Sequence, residues 1–237
     1  MKKTTKKKTT KVQTDNKPTL VAFLLDRTGS MEVCKAETIK GFNHYIKELR
    51  AKDDGTMRFT LTQFDSEAID IIHDAVPLKD VRLLTAETYT PRAFTPLYDA
   101  IGKTIRATEA KATGKYKVLF VTLTDGQENM SKEWNSDSIK VLIKKKEDEA
   151  HWTFAYIGMG ITGWAATTVM AAGTVGASNV LRTTYHDTGK AYGRFAGATV
   201  AYACSTGNVN CSAQNLWGPG STTEEETPVA QPSIHPK

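Results

Sequence analysis

Six consecutive residues, Asp26-Arg27-Thr28-Gly29-Ser30-Met31, place one carboxylate and two hydroxyls at alternate positions of a short turn. Oxygens spaced in this way can converge on one small cation, and hard donors of this type suit magnesium or calcium better than thiolate-seeking metals. Two further stretches carry donors of the same kind. Thr95 stands before Pro96 at a helix start after a long polar loop, and Thr124-Asp125-Gly126 ends a buried strand. Asp26, Thr28, Ser30, Thr95 and Asp125 together offer five oxygen ligands. Each also has a plainer reading: Thr95 and Ser30 as helix N-caps, Asp26 and Asp125 as strand-end turn formers.

Other chemistry finds less support. Gly158-Met-Gly160-Ile-Thr-Gly163 has the spacing of a dinucleotide-binding loop and follows a strand, but that strand is the fifth, and no strand-end acid follows in register. The glycines read better as a close turn. The histidines His44, His73, His151, His186 and His235 form no metal-spaced set, and Cys34 has no evident base. Phosphoryl transfer on a dehalogenase-like fold needs an acid two residues after the nucleophilic Asp, and Thr28 stands there. Trp152, Phe154 and Tyr156 read as core. No catalytic residue and no nucleotide cofactor is expected.

The elements that must position the oxygens follow from hydrophobic periodicity. Leu20 to Leu25 is a nearly continuous aliphatic run, the pattern of a strand buried on both faces of a parallel sheet, and Val118 to Leu123 repeats it. A helix is predicted from about Met31, with Ala36, Ile39, Phe42, Ile46 and Leu49 on one face. Met57, Phe59 and Leu61 predict an alternating strand that forms a hairpin with an edge strand around Ile69 and Ile71. Thr95-Pro96 starts a helix turning Leu97, Ile101 and Ile105 inward. A charged helix over 136–149, a strand from Trp152 to Ile157, a small-residue helix around Ala165 to Ala172, a strand at Val180 and Leu181, and a last helix with Tyr192, Phe195 and Tyr202 complete the pattern. Such alternation predicts an α/β fold: a doubly wound, mostly parallel, Rossmann-like sheet of about six strands with one antiparallel edge strand, flanked by helices.

The chain has 237 residues, enough for one α/β domain with tails. Residues 1–17 read as a Lys-rich flexible arm, 18–206 as the domain and 207–237 as a polar tail containing Glu224, Glu225 and Glu226. The formal net charge of +5 collects in Lys2, Lys3, Lys6, Lys7, Lys8 and Lys11, so the domain itself is close to neutral. The arm is therefore the expected place for any weak contact with nucleic acid or an acidic surface. No apolar run approaches the roughly 20 residues that span a bilayer, and none follows the lysines as in a secretory signal. A cytoplasmic location without membrane contact is expected. Cys34, Cys204 and Cys211 show neither paired zinc spacing nor disulfide density and read as reduced thiols.

On Asp26, Thr28, Ser30, Thr95 and Asp125, in that order and strand context, the sequence resembles the von Willebrand factor type A family over about residues 18–204. That family carries a metal-ion-dependent adhesion site built from an Asp-x-Ser-x-Ser turn, a distant Thr and a distant Asp. Thr28 departs from the usual Ser but keeps the hydroxyl. Thr95-Pro-Leu-Tyr-Asp-Ala-Ile101 and Leu123-Thr-Asp-Gly-Gln-Glu-Asn129 resemble small bacterial and bacteriophage members. The resemblance implies that the five residues ligate a divalent cation, magnesium first and manganese or calcium as alternatives. It also implies a non-enzymatic module that grips an Asp or Glu of a partner protein. A component of a large assembly, such as a phage virion, is the companion reading.

Overall fold

The computed structural model describes residues 17–125, 128–149, 151–159, 180–183, 188–205 and 216. Strand β1 (Thr19–Asp26) is buried at every position, as its aliphatic run requires of a strand covered on both faces. Helix α1 (Lys35–Lys52) is preceded by a 3-10 turn over Gly29–Cys34, so the helix expected from about Met31 begins later. The tighter 3-10 winding shifts the phase of α1. Ala36 consequently faces solvent, while Thr38, Phe42, Tyr45, Ile46 and Leu49 face inward.

Strand β2 (Arg58–Phe64) pairs antiparallel with β3 (Ile69–Pro77), giving the expected hairpin. Simple alternation fails in β2, because Thr60, Thr62 and Gln63 are buried along with Phe59 and Leu61. The second face of β2 is covered by α2 (Leu97–Ala112). Strand β4 (Lys117–Thr124), helix α3 (Ser136–Asp148), strand β5 (Trp152–Met159), strand β6 (Val180–Thr183) and helix α4 (Thr188–Cys204) complete the chain order. The side chain of Asn135 accepts the N–H of Ser138, whose hydroxyl reciprocates, and this capping box starts α3.

The sheet has six strands in the order β3-β2-β1-β4-β5-β6, with β3 antiparallel and all other neighbours parallel. Its two faces bury separate clusters. Val21, Phe23, Leu25, Phe59 and Leu119 pack against Phe42, Tyr45, Tyr192 and Phe195 of α1 and α4. Leu20, Ala22, Leu24, Val118 and Phe120 pack against Leu97, Ile101, Ile105, Ile139 and Ile143 of α2 and α3. Burying each such side chain stabilises the fold by about 1.5–3 kcal/mol. Tyr45 and Phe195 stack with ring centroids 4.6 Å apart. No helix among the described residues is long and apolar enough to cross a membrane.

The expected helix around Ala165 to Ala172 and the glycines Gly160 and Gly163 lie outside the described residues, as do the arm apart from Lys17 and the tail apart from Leu216. Leu216, placed by sequence in the polar tail, packs on the α1/α4 core cluster.

Candidate metal centre

Beyond β1 the chain builds outward through β2 and β3, then returns to place β4 on the other flank of β1. The carboxyl ends of β1 and β4 therefore straddle the point where strand order reverses, the usual ligand crevice of an open α/β sheet. Asp26 ends β1 and Asp125 directly follows β4.

Four of the five predicted residues are joined by contacts. Oδ1 of the fully buried Asp26 accepts the Thr28 N–H at 2.7 Å, and its Oδ2 accepts the Thr124 hydroxyl. Thr28 Oγ1 lies 3.3 Å from Ser30 Oγ, which donates to Asp125 Oδ1 at 2.7 Å. Thr95 is held through its backbone: its N–H donates to Asn129 Oδ1 at 2.9 Å, and the Asn129 N–H donates to Thr95 O at 3.1 Å. This clasp ties the segment before α2 to the one after Asp125. Among the described residues no hydrogen bond joins the Thr95 hydroxyl to the other four.

The plainer roles fit only in part. Thr95 does not cap α2, because Pro96 occupies the N-cap position and makes no side-chain cap bond. Ser30 caps no helix either, since the cap residues of the 3-10 turn and of α1 are Thr28 and Cys34. Asp26 does form its own turn through Thr28.

The turn after β1 is fixed from several sides. Arg27 N–H donates to Phe64 O at 2.9 Å, Gly29 N–H to Ala93 O at 3.1 Å, and Arg92 N–H to Arg27 O at 2.9 Å. The Arg27 guanidinium turns away from Asp26 toward Asp65 at 2.8 Å and Asp70 at 3.0 Å. Burial alone would raise the Asp65 carboxyl, but Arg92, the N–H groups of Ala68 and Glu67, and the charge of Arg27 hold it below the ordinary carboxylate range. Asp26 is the opposite case. Burial pushes its pKa up to about 7, against hydrogen bonds from Thr124 and Thr28, and the charge of Asp125 adds to the rise.

That contrast tests the fit of a cation. No Lys or Arg side chain pairs with Asp26 among the described residues, and a buried carboxylate without a compensating cation is costly. The surrounding donors are hydroxyls and a second carboxylate, the set a hard divalent ion takes. Among the described residues no three His, Cys, Asp or Glu side chains gather in a group that could hold a metal ion, so a cation here would rest on two carboxylates and the hydroxyls. A separate cavity of about 420 Å³ lies at the opposite end of the sheet, lined by Arg50, Asp53, Arg58 and Lys79, and takes no part in this centre.

Sequence reasoning missed the residues that shape the loop after β4. Glu128 accepts the N–H groups of Tyr98 at 3.0 Å, Met130 at 2.8 Å and Ser131 at 2.7 Å. Asp99 accepts those of Lys132, Glu133 and Trp134 at 2.9, 3.0 and 2.9 Å. The density of polar residues from Thr124 to Asn129 was the available signal.

No family model matches the sequence, and no curated protein matches it. Its fold does match solved structures. The von Willebrand factor domain of the type V pili tip protein Mfa5 from Porphyromonas gingivalis aligns with a TM-score of 0.64 at 12% identity, over 81% of this chain and 97% of that one. The pilus adhesin SpaC from Lactobacillus rhamnosus GG aligns with a TM-score of 0.63 at 12% identity, over 78% of this chain but 30% of its own. Proximal thread matrix protein 1 from the mussel byssus, with a zinc-occupied MIDAS motif, gives 0.57 at 14% identity, over 81% of this chain and 48% of that one.

Proposed function

We propose that this chain, which has the von Willebrand factor type A fold, is a protein-interaction module that grips an acidic side chain of its partner through a divalent cation. The observation that carries the reading is the linked set Asp26, Thr28, Ser30 and Asp125 at the strand-order reversal. Thr95 is clasped to the adjoining loop. In this reading Asp26 and Asp125 supply charge, and Thr28, Ser30 and Thr95 supply neutral oxygens. When bound, magnesium, or manganese or calcium in its place, supplies an electrophilic position for a carboxylate from outside. Where the neutral hydroxyls ligate directly and a carboxylate acts through water, little negative charge touches the ion, so an external acid is favoured.

A non-enzymatic role is supported by Thr28, which stands where a phosphoryl-transfer site would need its second acid. The similar structures include pilus proteins and a byssal matrix protein, which supports a place in a larger assembly. Calorimetric titration of Mg2+ into the protein, with and without acetate as the carboxylate probe, tests the mechanism. Binding that tightens with acetate is expected, because each ligand favours the other by the same coupling free energy. It should vanish in the double variant Thr28→Ala, Ser30→Ala. Equal affinity with and without acetate overturns the carboxylate grip, and absence of Mg2+ binding overturns the cation.

A further inference from the structure

Among the described residues the exposed large apolar side chains are Val33, Ile71, Phe94, Met130 and Val141. Three of them, Val33 at 70% exposure, Phe94 at 59% and Met130 at 39%, lie on the three segments that carry the candidate ligands. Val33 belongs to the same 3-10 turn as Ser30. Phe94 directly precedes Thr95 and Met130 directly follows Asn129. Because Thr95 and Asn129 clasp each other at 2.9 and 3.1 Å, Phe94 and Met130 rise from adjacent backbone.

That backbone is held. The Phe94 N–H donates to Ser66 Oγ at 3.1 Å, and the Met130 N–H to Glu128 Oε1 at 2.8 Å. Ala93, which accepts the Gly29 N–H, sits at a φ of 59°, the left-handed region that a non-glycine residue enters at a cost of about 1 kcal/mol or more. Such strain persists where surrounding contacts over-determine it, and it concentrates at ligand clamps. With the backbone already fixed, docking of these side chains costs little further backbone freedom. The neighbouring cations Arg27 and Arg92 are engaged by Asp65, Asp70 and Glu67. Beside exposed polar residues such as Glu32 and Lys132, the centre also offers these apolar side chains for contact.

We propose that Val33, Phe94 and Met130 form an apolar rim around the candidate cation site and select a protein segment whose acidic side chain is flanked by aliphatic or aromatic ones. This rests on the cation reading above and adds the chemistry of the partner's flanks.

The probe is a library of random peptides displayed on phage, panned on the full chain in Mg2+. Enriched peptides should pair an Asp or Glu with neighbouring apolar residues and should be released by chelator. The double variant Phe94→Ser, Met130→Ser should keep its Mg2+ titration and its acidic, chelator-released peptides, but lose the apolar enrichment. It should also bind the best wild-type peptide about tenfold or more weakly. Acidic peptides without apolar flanks, or an apolar preference that survives in the variant, overturn the rim and leave the cation site standing. No enrichment from a protein that still titrates Mg2+ also overturns the rim. Apolar peptides lacking an acid and indifferent to chelator overturn the cation reading, and the rim as proposed falls with it.

Discussion

Ser30 joins the turn after β1 to Asp125 through a single hydroxyl, donating at 2.7 Å. The residue is exposed, so the loss of that bond should cost the fold only about 0.5–1.5 kcal/mol. Ser30→Ala should therefore unfold within a few degrees of wild type yet bind Mg2+ much more weakly, and unchanged Mg2+ binding by calorimetry would remove Ser30 from the ligand set. The oxygen-bearing residues were legible because each stands beside a strand end or a proline, positions that sequence marks clearly. The helix-cap reading of Thr95 fails, since Pro96 takes the cap position itself. Asn129 and Glu128 were not legible, because a side chain that accepts backbone N–H groups from another loop leaves no periodic trace. His73 offers a separate test. It is buried and its Nε2 accepts the Arg82 N–H at 3.1 Å, which requires the neutral ring. Burial first, and then the charge of Arg82, lowers its pKa. A folded pKa below the unfolded one contributes stability that is full above about pH 6.5 and is lost as pH falls through the folded value. The urea midpoint should drop on acidification below about pH 6, and His73→Gln should flatten that drop. Identical pH profiles for the two proteins would refute the assignment.

Helices α1 and α4 approach closely because Gly41 has no side chain. A Cβ there would collide with the ring of Tyr192, beside the stacked Tyr45 and Phe195. Gly41→Ala should destabilise the fold by about 1–3 kcal/mol through overpacking. Trimming Tyr192 to Leu in the same chain should recover part of the loss, and additive losses in denaturant unfolding would show that the two do not press on each other. Helix α2 ends on Thr113 at a φ of 41°, followed by Gly114 at 73°. A β-branched residue is poorly suited to the left-handed region, and Thr113 is exposed, so Thr113→Gly should stabilise by about 0.5–1 kcal/mol. A lowered melting temperature would contradict this. At this scale the buried strands were the most legible elements, since a run such as Leu20 to Leu25 has no polar face to misplace. The start of α1 was the least legible. Residues 29–34 are apolar enough to continue a helical pattern, and nothing in their order announces the tighter 3-10 winding.

For the molecule as a whole, the centre conflicts with stability, because a carboxyl sits fully buried at the end of the central β1 with no cationic side chain paired to it among the described residues. Two covered sheet faces supply the stability that tolerates it. If the cost exists to hold a cation, removing the charge should relieve the metal-free fold. Asp26→Asn keeps an acceptor for the Thr28 N–H and nearly the same shape. In chelator at pH 8 the variant should therefore melt at or above the wild-type temperature, whereas Asp26→Ala, which also loses the acceptor and leaves a cavity, should melt below it. Magnesium should reverse the order of wild type and Asn variant. A ligand that binds only the folded state stabilises it by RT ln(1 + [L]/Kd), about 2.7 kcal/mol at a hundredfold excess over Kd. For a domain of this size that is a rise of roughly 5–10 °C. Wild type should show that rise and Asp26→Asn should not. A wild-type melting temperature indifferent to Mg2+, Mn2+ and Ca2+ at millimolar concentration would mean that Asp26 is buried for a reason other than holding a cation.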